Sequence, residues 1–419
     1  MKTQIASVVV LLLLVGGYTL PVTEQMSMGD VVLSPVTGAG TDQPMLAPGS
    51  GVVTLADGVT IDLEQQELVR GYLDAYYRSL IDLQVYYPDQ LFARDAIVEM
   101  VRDKALWEIT VAVREMQSAD LRLDSYSYEV QCNKVAEQED GYVSVGFTES
   151  NVENFREYPG VDSESRNIEH GFILVQVDGT WRIRDHISGG TVTQYVMDSL
   201  KQGTDVDMLD VVLSVLRTRD MIIDDAKANV LARDTPANIV QPFAPVVSRT
   251  YDRQAAVDYA TKWSLRRNPD WPIYDEWGGN CNNFTSQCLF AGGIPMDYSG
   301  KAQWKWYDQR WDRSETASGR SDSWASVNAF YKYAGANLGY GLVAQVDADY
   351  WAGEPGDLLQ LGFLNAWQHS VLITTAVKSK EGTTFDYLIS SNTADKKDFP
   401  VSAYLYTMQR LIKVHGWND

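Results

Sequence analysis

Apolar residues recur every three to four positions in "DLEQQELVRGYLDAYYRSLIDL" and "PDQLFARDAIVEMVRDKALWEITVAVREMQ". That period predicts two long amphipathic helices between Asp62 and about Ser118. Beyond Ser118 the period falls to two. The runs "YSYEVQCNKV", "GYVSVGFTES", "GFILVQV" and "TWRIRDHI" alternate apolar with polar, and Asp140-Gly141 and Asp178-Gly179 mark hairpin turns between them. Helices followed by an antiparallel sheet predict an α+β domain over residues 62–192.

This order of elements resembles the cone-shaped nuclear-transport-factor-like fold. No chemistry is assigned to the domain. His170 and His186 fall within strand patterns and read as satisfied structural residues, and Cys132 reads as a small core hydrophobe. Residues 193–247 read as a helical segment running into the proline-containing linker "DTPANIVQPFAPVV", so the last domain spans 248–419. Ahead of the first domain, residues 22–61 are rich in Gly, Pro, Thr and Ser and read as a flexible spacer. Residues 1–21 carry one lysine, an apolar run from Val8 to Val15 and a Gly-Gly break. They read as an export signal, with a short membrane anchor as the alternative. Either predicts bacterial-type secretion, to the cell surface or beyond it.

A length of 419 residues supports two folded units. The net charge of -21 is uneven: residues 246–419 hold 17 Lys+Arg against 19 Asp+Glu, and the first 245 hold 18 against 37. The acidic half repels nucleic acid, which is not an expected partner, whereas the near-neutral C-terminal half can approach an anionic wall. Three cysteines cannot form a fully paired framework, and Cys281 and Cys288, seven residues apart on one helix, are too distant for a bridge. Four scattered histidines, with no H-E-x-x-H, zinc-finger spacing, P-loop or G-x-S-x-G, imply neither a metal nor a cofactor.

Candidate chemistry concentrates in "YDEWGGNCNNFTSQCLFAGG". Gly278-Gly279-Asn280 supply a turn, Cys281 begins a helix, and Gly292-Gly293 end it. Cys281 sits at the positive end of that helix, where the dipole and an imidazolium lower a thiol pKa. Phe284, Cys288 and Ala291 share the face below it, so Cys288 reads as core. His369, at the start of the alternating strand "HSVLITTAV", is the candidate base, and His415 is peripheral. Asn392 at the end of the next strand, or Asp395 three residues on, would orient the imidazole. The backbone N–H of Cys281 and a donor from Asn280 would form an oxyanion hole. The sequon at Asn283 falls inside the nucleophile helix. The block from Gln303 to Trp324 is read as core packing with a share in a substrate groove, for which Trp304, Trp306, Trp324 and Trp367 are the candidates.

The segment from Tyr251 to Asn418 resembles an amidase-domain family of bacterial exported proteins within the papain-like superfamily, which also holds the NlpC-type cell-wall peptidases. The resemblance rests on "YDRQAAVDYATKW", Asn268-Pro269, "GGNCNNFTSQCLFAGGIPM", Trp304, Ser323-Trp324, "GDLLQL", "HSVLIT" and "RLIKVHGW". It implies a nucleophile helix packed on an antiparallel sheet, with Cys281 as nucleophile, His369 as base and peptide or peptidoglycan as substrate. Asn280 and Asn392 depart from the family pattern, where an Asp and a His would stand. The alternative expectation is therefore a degenerate module that binds wall peptide without cleaving it.

Overall fold

The structure is a computed structural model that describes residues 49–138, 140–200, 207–235, 245–275 and 279–419. The predicted export signal and most of the spacer lie outside those residues. Among the described residues no helix is long and apolar enough to cross a membrane. The chain divides into two units that do not follow its order. One holds the residues up to Val111 with Arg122–Asn154 and Ile168–Asp220, and the other holds Ala112–Leu121, Phe155–Asn167 and Met221–Asp419. A single boundary near residue 192 is thus too simple.

The spacer reading needs a correction in the first unit. Gly49–Leu55 form strand β1, paired in parallel with β2 (Leu123–Glu137) in the register Gly49↔Tyr126 to Leu55↔Cys132. Glycine is required at two of its positions, because a Cβ on Gly49 or Gly51 would fall 2.4 and 2.0 Å from the rings of Tyr126 and Tyr128. The two predicted helices are α1 (Leu63–Asp82) and α2 (Ile97–Glu115). The Asp62 N–H donates to Gln65 Oε1 at 2.9 Å to start α1, and Leu83 in left-handed conformation stops it. The predicted strands follow as β2, β3 (Val143–Phe155), β4 (Ser163–Val177) and β5 (Thr180–Ser188). Positive φ at Asp178 and Gly179 makes the β4–β5 hairpin turn that their sequence predicts. Helices α3 (Thr191–Ser199) and α4 (Met208–Asp234) come next.

Both histidines of this unit are buried in one hydrogen-bonded chain. Asp103 Oδ1 meets His186 Nδ1 at 2.8 Å, His186 Nε2 meets His170 Nδ1 at 3.1 Å, and His170 Nε2 meets Glu149 Oε2 at 2.9 Å. The three bonds in series link the two imidazoles to a carboxylate at each end. Tyr72 and Tyr87 donate to Asp103, Tyr77 and Asn151 donate to Glu149, and Arg102 bonds Asp185 and the His186 carbonyl. Both rings and both carboxylates are satisfied from within, in accord with a structural role.

In the second unit the backbone near Ser248 pairs with the last strand of the chain. Arg249 and Trp417 exchange backbone bonds of 3.0 and 3.1 Å, and Asn418 Oδ1 accepts the Ser248 N–H. Its antiparallel sheet runs β10 (Asp395–Pro400), β9 (Thr384–Ser391), β8 (Ala366–Lys378), β7 (Leu358–Phe363), β11 (Met408–Asn418) and β6 (Gly341–Ala348). Its helices are α5 (Arg253–Trp263), α6 (Cys281–Ala291), α7 (Asp322–Ala325) and α8 (Val327–Ala336). Helix α6 packs on α5 and β8, and Phe284, Cys288 and Leu289 join Trp304, Trp324, Phe330, Leu358, Leu372 and Val414 in one core. The mixed α+β class is as predicted.

Acid should loosen the first unit. Burial lowers the His186 pKa despite Asp103, so the unfolded chain takes up that proton first, below about pH 6.5. Burial works to raise Glu149, but its bonds from His170, Tyr77 and Asn151 outweigh it and leave the group lowered. Both shifts give stability that is present above the unfolded-state values and lost as pH falls. The urea midpoint followed by the fluorescence of Trp107, which donates to Tyr72, is expected to drop between pH 7.5 and 4.5. An unchanged midpoint would contradict the burial that holds His186 below its usual pKa.

Candidate active site

Helix α6 is buried on every side, which is unusual for a segment reading "CNNFTSQCLFA". Its polar residues are consumed by neighbours. Asn282 Nδ2 donates to the carbonyls of Ser323 and Trp324 at 3.1 and 3.2 Å, and its Oδ1 accepts from Ser370 of β8 at 2.9 Å. Asn283 accepts from Trp324 Nε1 at 2.8 Å and donates to the Pro272 carbonyl at 2.9 Å. Ser286 accepts from Trp304 Nε1 at 3.0 Å. The sequon asparagine is therefore a core residue. These bonds fix the axial position of α6, and with it the position of Cys281 at its first turn.

The Cys281 thiol is buried and lies against β8. Its Sγ donates to the Gln368 carbonyl at 3.9 Å, and the backbone N–H groups of Ser370, Asn282 and Cys281 itself point at the sulfur. His369 occupies the strand between those two contacts. Burial dominates the electrostatics. It pushes the Cys281 thiol up, against the three N–H donors, and it pushes His369 down to about 3, with Lys396 adding to the effect. The expectation of a helix-end thiolate is thus corrected: the desolvation cost exceeds the help from the helix terminus, and the resting pair is thiol and neutral imidazole.

The two candidates for orienting the imidazole are held elsewhere. Asn392 donates to the carbonyls of Trp263 and Ser264 at the end of α5, and its Oδ1 accepts from Asn280 Nδ2 at 3.1 Å. Asp395 accepts from Arg267 at 2.8 Å, from Asn167 at 2.7 Å and from the Thr393 N–H at 3.0 Å. Asn280 is no open oxyanion donor either. Its N–H goes to Thr393 Oγ1 at 2.6 Å and its amide nitrogen to Asn392, while its Oδ1 accepts from Tyr274 and Asn283. These residues tie the start of α6 to the β9–β10 turn. The groups that do meet His369 are Tyr404, whose hydroxyl lies 3.3 Å from Nε2, and Tyr406, whose ring is stacked 5.5 Å away. Sequence reasoning missed both, because "AYLYTM" follows the strand end without a spacing that distinguishes site tyrosines from packing tyrosines. It also missed Arg267, whose only signal is the cationic pair ahead of Asn268-Pro269.

The groove reading divides. Trp304 and Trp324 are completely buried core residues and cannot touch a substrate. Trp306 is partly buried and donates to Tyr274 at 3.0 Å. Trp367, two residues before His369, covers one face of the Arg410 guanidinium at 4.0 Å, and Tyr331 covers the other at 3.5 Å. Cys132, Cys281 and Cys288 are all free and buried. His415 is half-buried in β11 within the fields of Lys413, Arg253 and Glu354, away from Cys281.

Comparison with known proteins adds the class. Residues 250–417 match the family described as "Putative amidase domain". A stretch of 46 residues, 11% of this chain and 14% of the other, is 54% identical to "Uncharacterized protein YhbB" of Bacillus subtilis (strain 168). This chain therefore matches well under two-thirds of that relative. The family description points to amide-bond hydrolysis as the reaction class for residues 250–417.

Two measurements check the site as built. The pH midpoint for Cys281 alkylation by iodoacetamide should lie above that of a free thiol, with Cys288 unlabelled until unfolding; a midpoint below 8 would mean the sulfur is solvated or paired with an imidazolium. Asn392→Ala strands the Trp263 and Ser264 carbonyls and the Asn280 amide, and should destabilise the second unit by about 1–3 kcal/mol in denaturant unfolding.

Proposed function

We propose that the second unit is an exported cysteine amidase or peptidase acting on cell-wall peptide through a thioacyl intermediate. The observation that carries this reading is the Cys281 thiol at the first turn of a buried helix, pressed against the Gln368–Ser370 segment that holds His369. The amidase-domain match supports the reaction class, and the apolar N-terminal run supports export.

In this mechanism the neutral imidazole takes the thiol proton as Sγ attacks the amide carbonyl. The new S–C bond turns the carbonyl oxygen into an oxyanion, for which the Cys281 N–H is the donor within reach. Collapse breaks the C–N bond while the imidazolium returns its proton to the leaving amine. A water activated by the same imidazole then adds to the thioester and expels the thiol, restoring the starting pair.

The competing reading is a binder without turnover, favoured by the raised thiol and by a sulfur hydrogen bond that goes to Gln368 rather than to the imidazole. Mass analysis of wall fragments separates the two. New amide-cleavage products with wild type but not with Cys281→Ala establish the amidase, whereas identical fragments from both establish the binder. If turnover is found, its acid limb follows from His369. A base held at about 3 stays neutral down to mild acid, so kcat/KM should not fall with a midpoint near 6.5 as pH drops from 8 to 5. Such a midpoint would place the imidazole in water.

A further inference from the structure

The position that a third catalytic-site residue would fill is occupied by a phenol. Tyr404 meets the imidazole edge-on, with ring centroids 5.6 Å apart at 85° and its hydroxyl 3.3 Å from Nε2. Tyr406 meets the same imidazole face-on, at 10° between planes. The backbone makes this possible. After a turn at Val401–Ala403 the Tyr404 N–H closes onto the Val401 carbonyl at 3.1 Å, and the Tyr406 N–H onto the Tyr404 carbonyl at 2.7 Å. That tight course aims two alternate rings at one histidine. Tyr404 is itself braced, by Phe399 at 6.0 Å, by Lys396 over its ring at 5.2 Å and by the Ser391 side chain. Ser391 sends its own proton to the Ala394 carbonyl at 3.2 Å. A phenol oxygen has lone pairs of its own, so at this distance it can accept from Nε2–H.

We propose that Tyr404, and neither Asn392 nor Asp395, is the positioning residue of His369: its oxygen accepts the Nε2 proton and keeps the Nδ1 lone pair for the Cys281 thiol. Among the described residues Nδ1 has no hydrogen-bond partner, as a base that must accept a proton requires. Tyr406 fixes the plane of the ring. The carboxamide of Asn392 serves the backbone of the site instead of its imidazole. A phenol differs from an amide or carboxylate here because it orients the ring without adding a formal charge, which suits a histidine kept neutral by burial. The inference rests on the amidase reading for its catalytic meaning, but its geometry can be tested without any substrate.

The test is the imidazole tautomer in the full chain, read from long-range proton–nitrogen NMR correlations of ¹⁵N-histidine protein, with His369→Gln used to assign the signals. Wild type is expected to hold His369 in the Nε2–H form. Tyr404→Phe should move it towards a mixture of tautomers, and Asn392→Ala should leave it unchanged in whatever fraction remains folded. If wall fragments are cleaved, Tyr404→Phe should lower kcat about tenfold with little change in KM, the scale of one lost neutral hydrogen bond in the transition state. An Nδ1–H tautomer in wild type overturns the proposal, whatever the folding of the variants. So does a tautomer that follows Asn392→Ala rather than Tyr404→Phe. Absence of cleavage with the predicted tautomer present would sink the amidase reading and leave the positioning role standing.

Discussion

The tie between Asn280 and the β9–β10 turn is the constraint on which the second unit's site depends. The turn is costly by itself, since Thr393 and Ala394 both adopt positive φ, 66° and 53°. Left-handed backbone costs a side-chain-bearing residue roughly 1–2 kcal/mol, and a β-branched one is a clear outlier there. The conformation persists because it is over-determined. Thr393 Oγ1 takes the Asn280 N–H, Asn392 Oδ1 takes the Asn280 amide, and Asp395, held by Arg267, takes the Thr393 N–H. Relaxing the turn would release the residue directly ahead of Cys281. The sulfur would then lose its place against β8.

The two units handle buried ionisable groups in opposite ways. In the first, the Asp103–His186–His170–Glu149 chain spends every donor and acceptor internally, with tyrosine hydroxyls closing both ends. Nothing in it is left to bind or transfer. In the second, Cys281 and His369 are buried with no carboxylate hydrogen-bonded to either among the described residues: phenols reach the imidazole, and the Gln368 carbonyl and peptide N–H groups reach the sulfur. A closed ionic chain rigidifies a core. Two uncharged groups surrounded by fixed dipoles keep bonding capacity that a closed ionic chain has spent.

What the sequence reveals about this site follows the range of the interactions involved. The start of α6 at Cys281, its end at the paired glycines and the strand carrying His369 are legible because turn, cap and period-two signals are local. The sheet order was hidden, since β11 inserts between β7 and β6 and only long-range pairing decides that. Strand β1 was hidden by its glycines, which read as spacer until the rings of Tyr126 and Tyr128 account for them. Asn392 misled for a more instructive reason. Its place in the chain after the Cys and the His suited an orienting residue, but a buried amide beside the open carbonyls of Trp263 and Ser264 bonds to them first. The Trp304 and Trp324 indoles were drawn inward by the same logic, because Ser286 and Asn283 on α6 accept their N–H groups.

The direction of the two pKa shifts constrains how such a site works. A raised thiol and a lowered imidazole make free proton transfer between them uphill, so a thiolate waiting for substrate is not the resting state. In the amidase proposed above, transfer would become favourable only as the sulfur bonds to carbon and the charge moves on to the oxyanion. The imidazolium so formed would be a strong acid, matched to protonating a leaving amine. The three N–H groups near the sulfur already offset part of the cost of charging it. Burial has a second consequence for the thiol. Oxidation follows thiolate character and exposure, and Cys281 has little of either. The burial that raises its pKa is therefore the same property that preserves it.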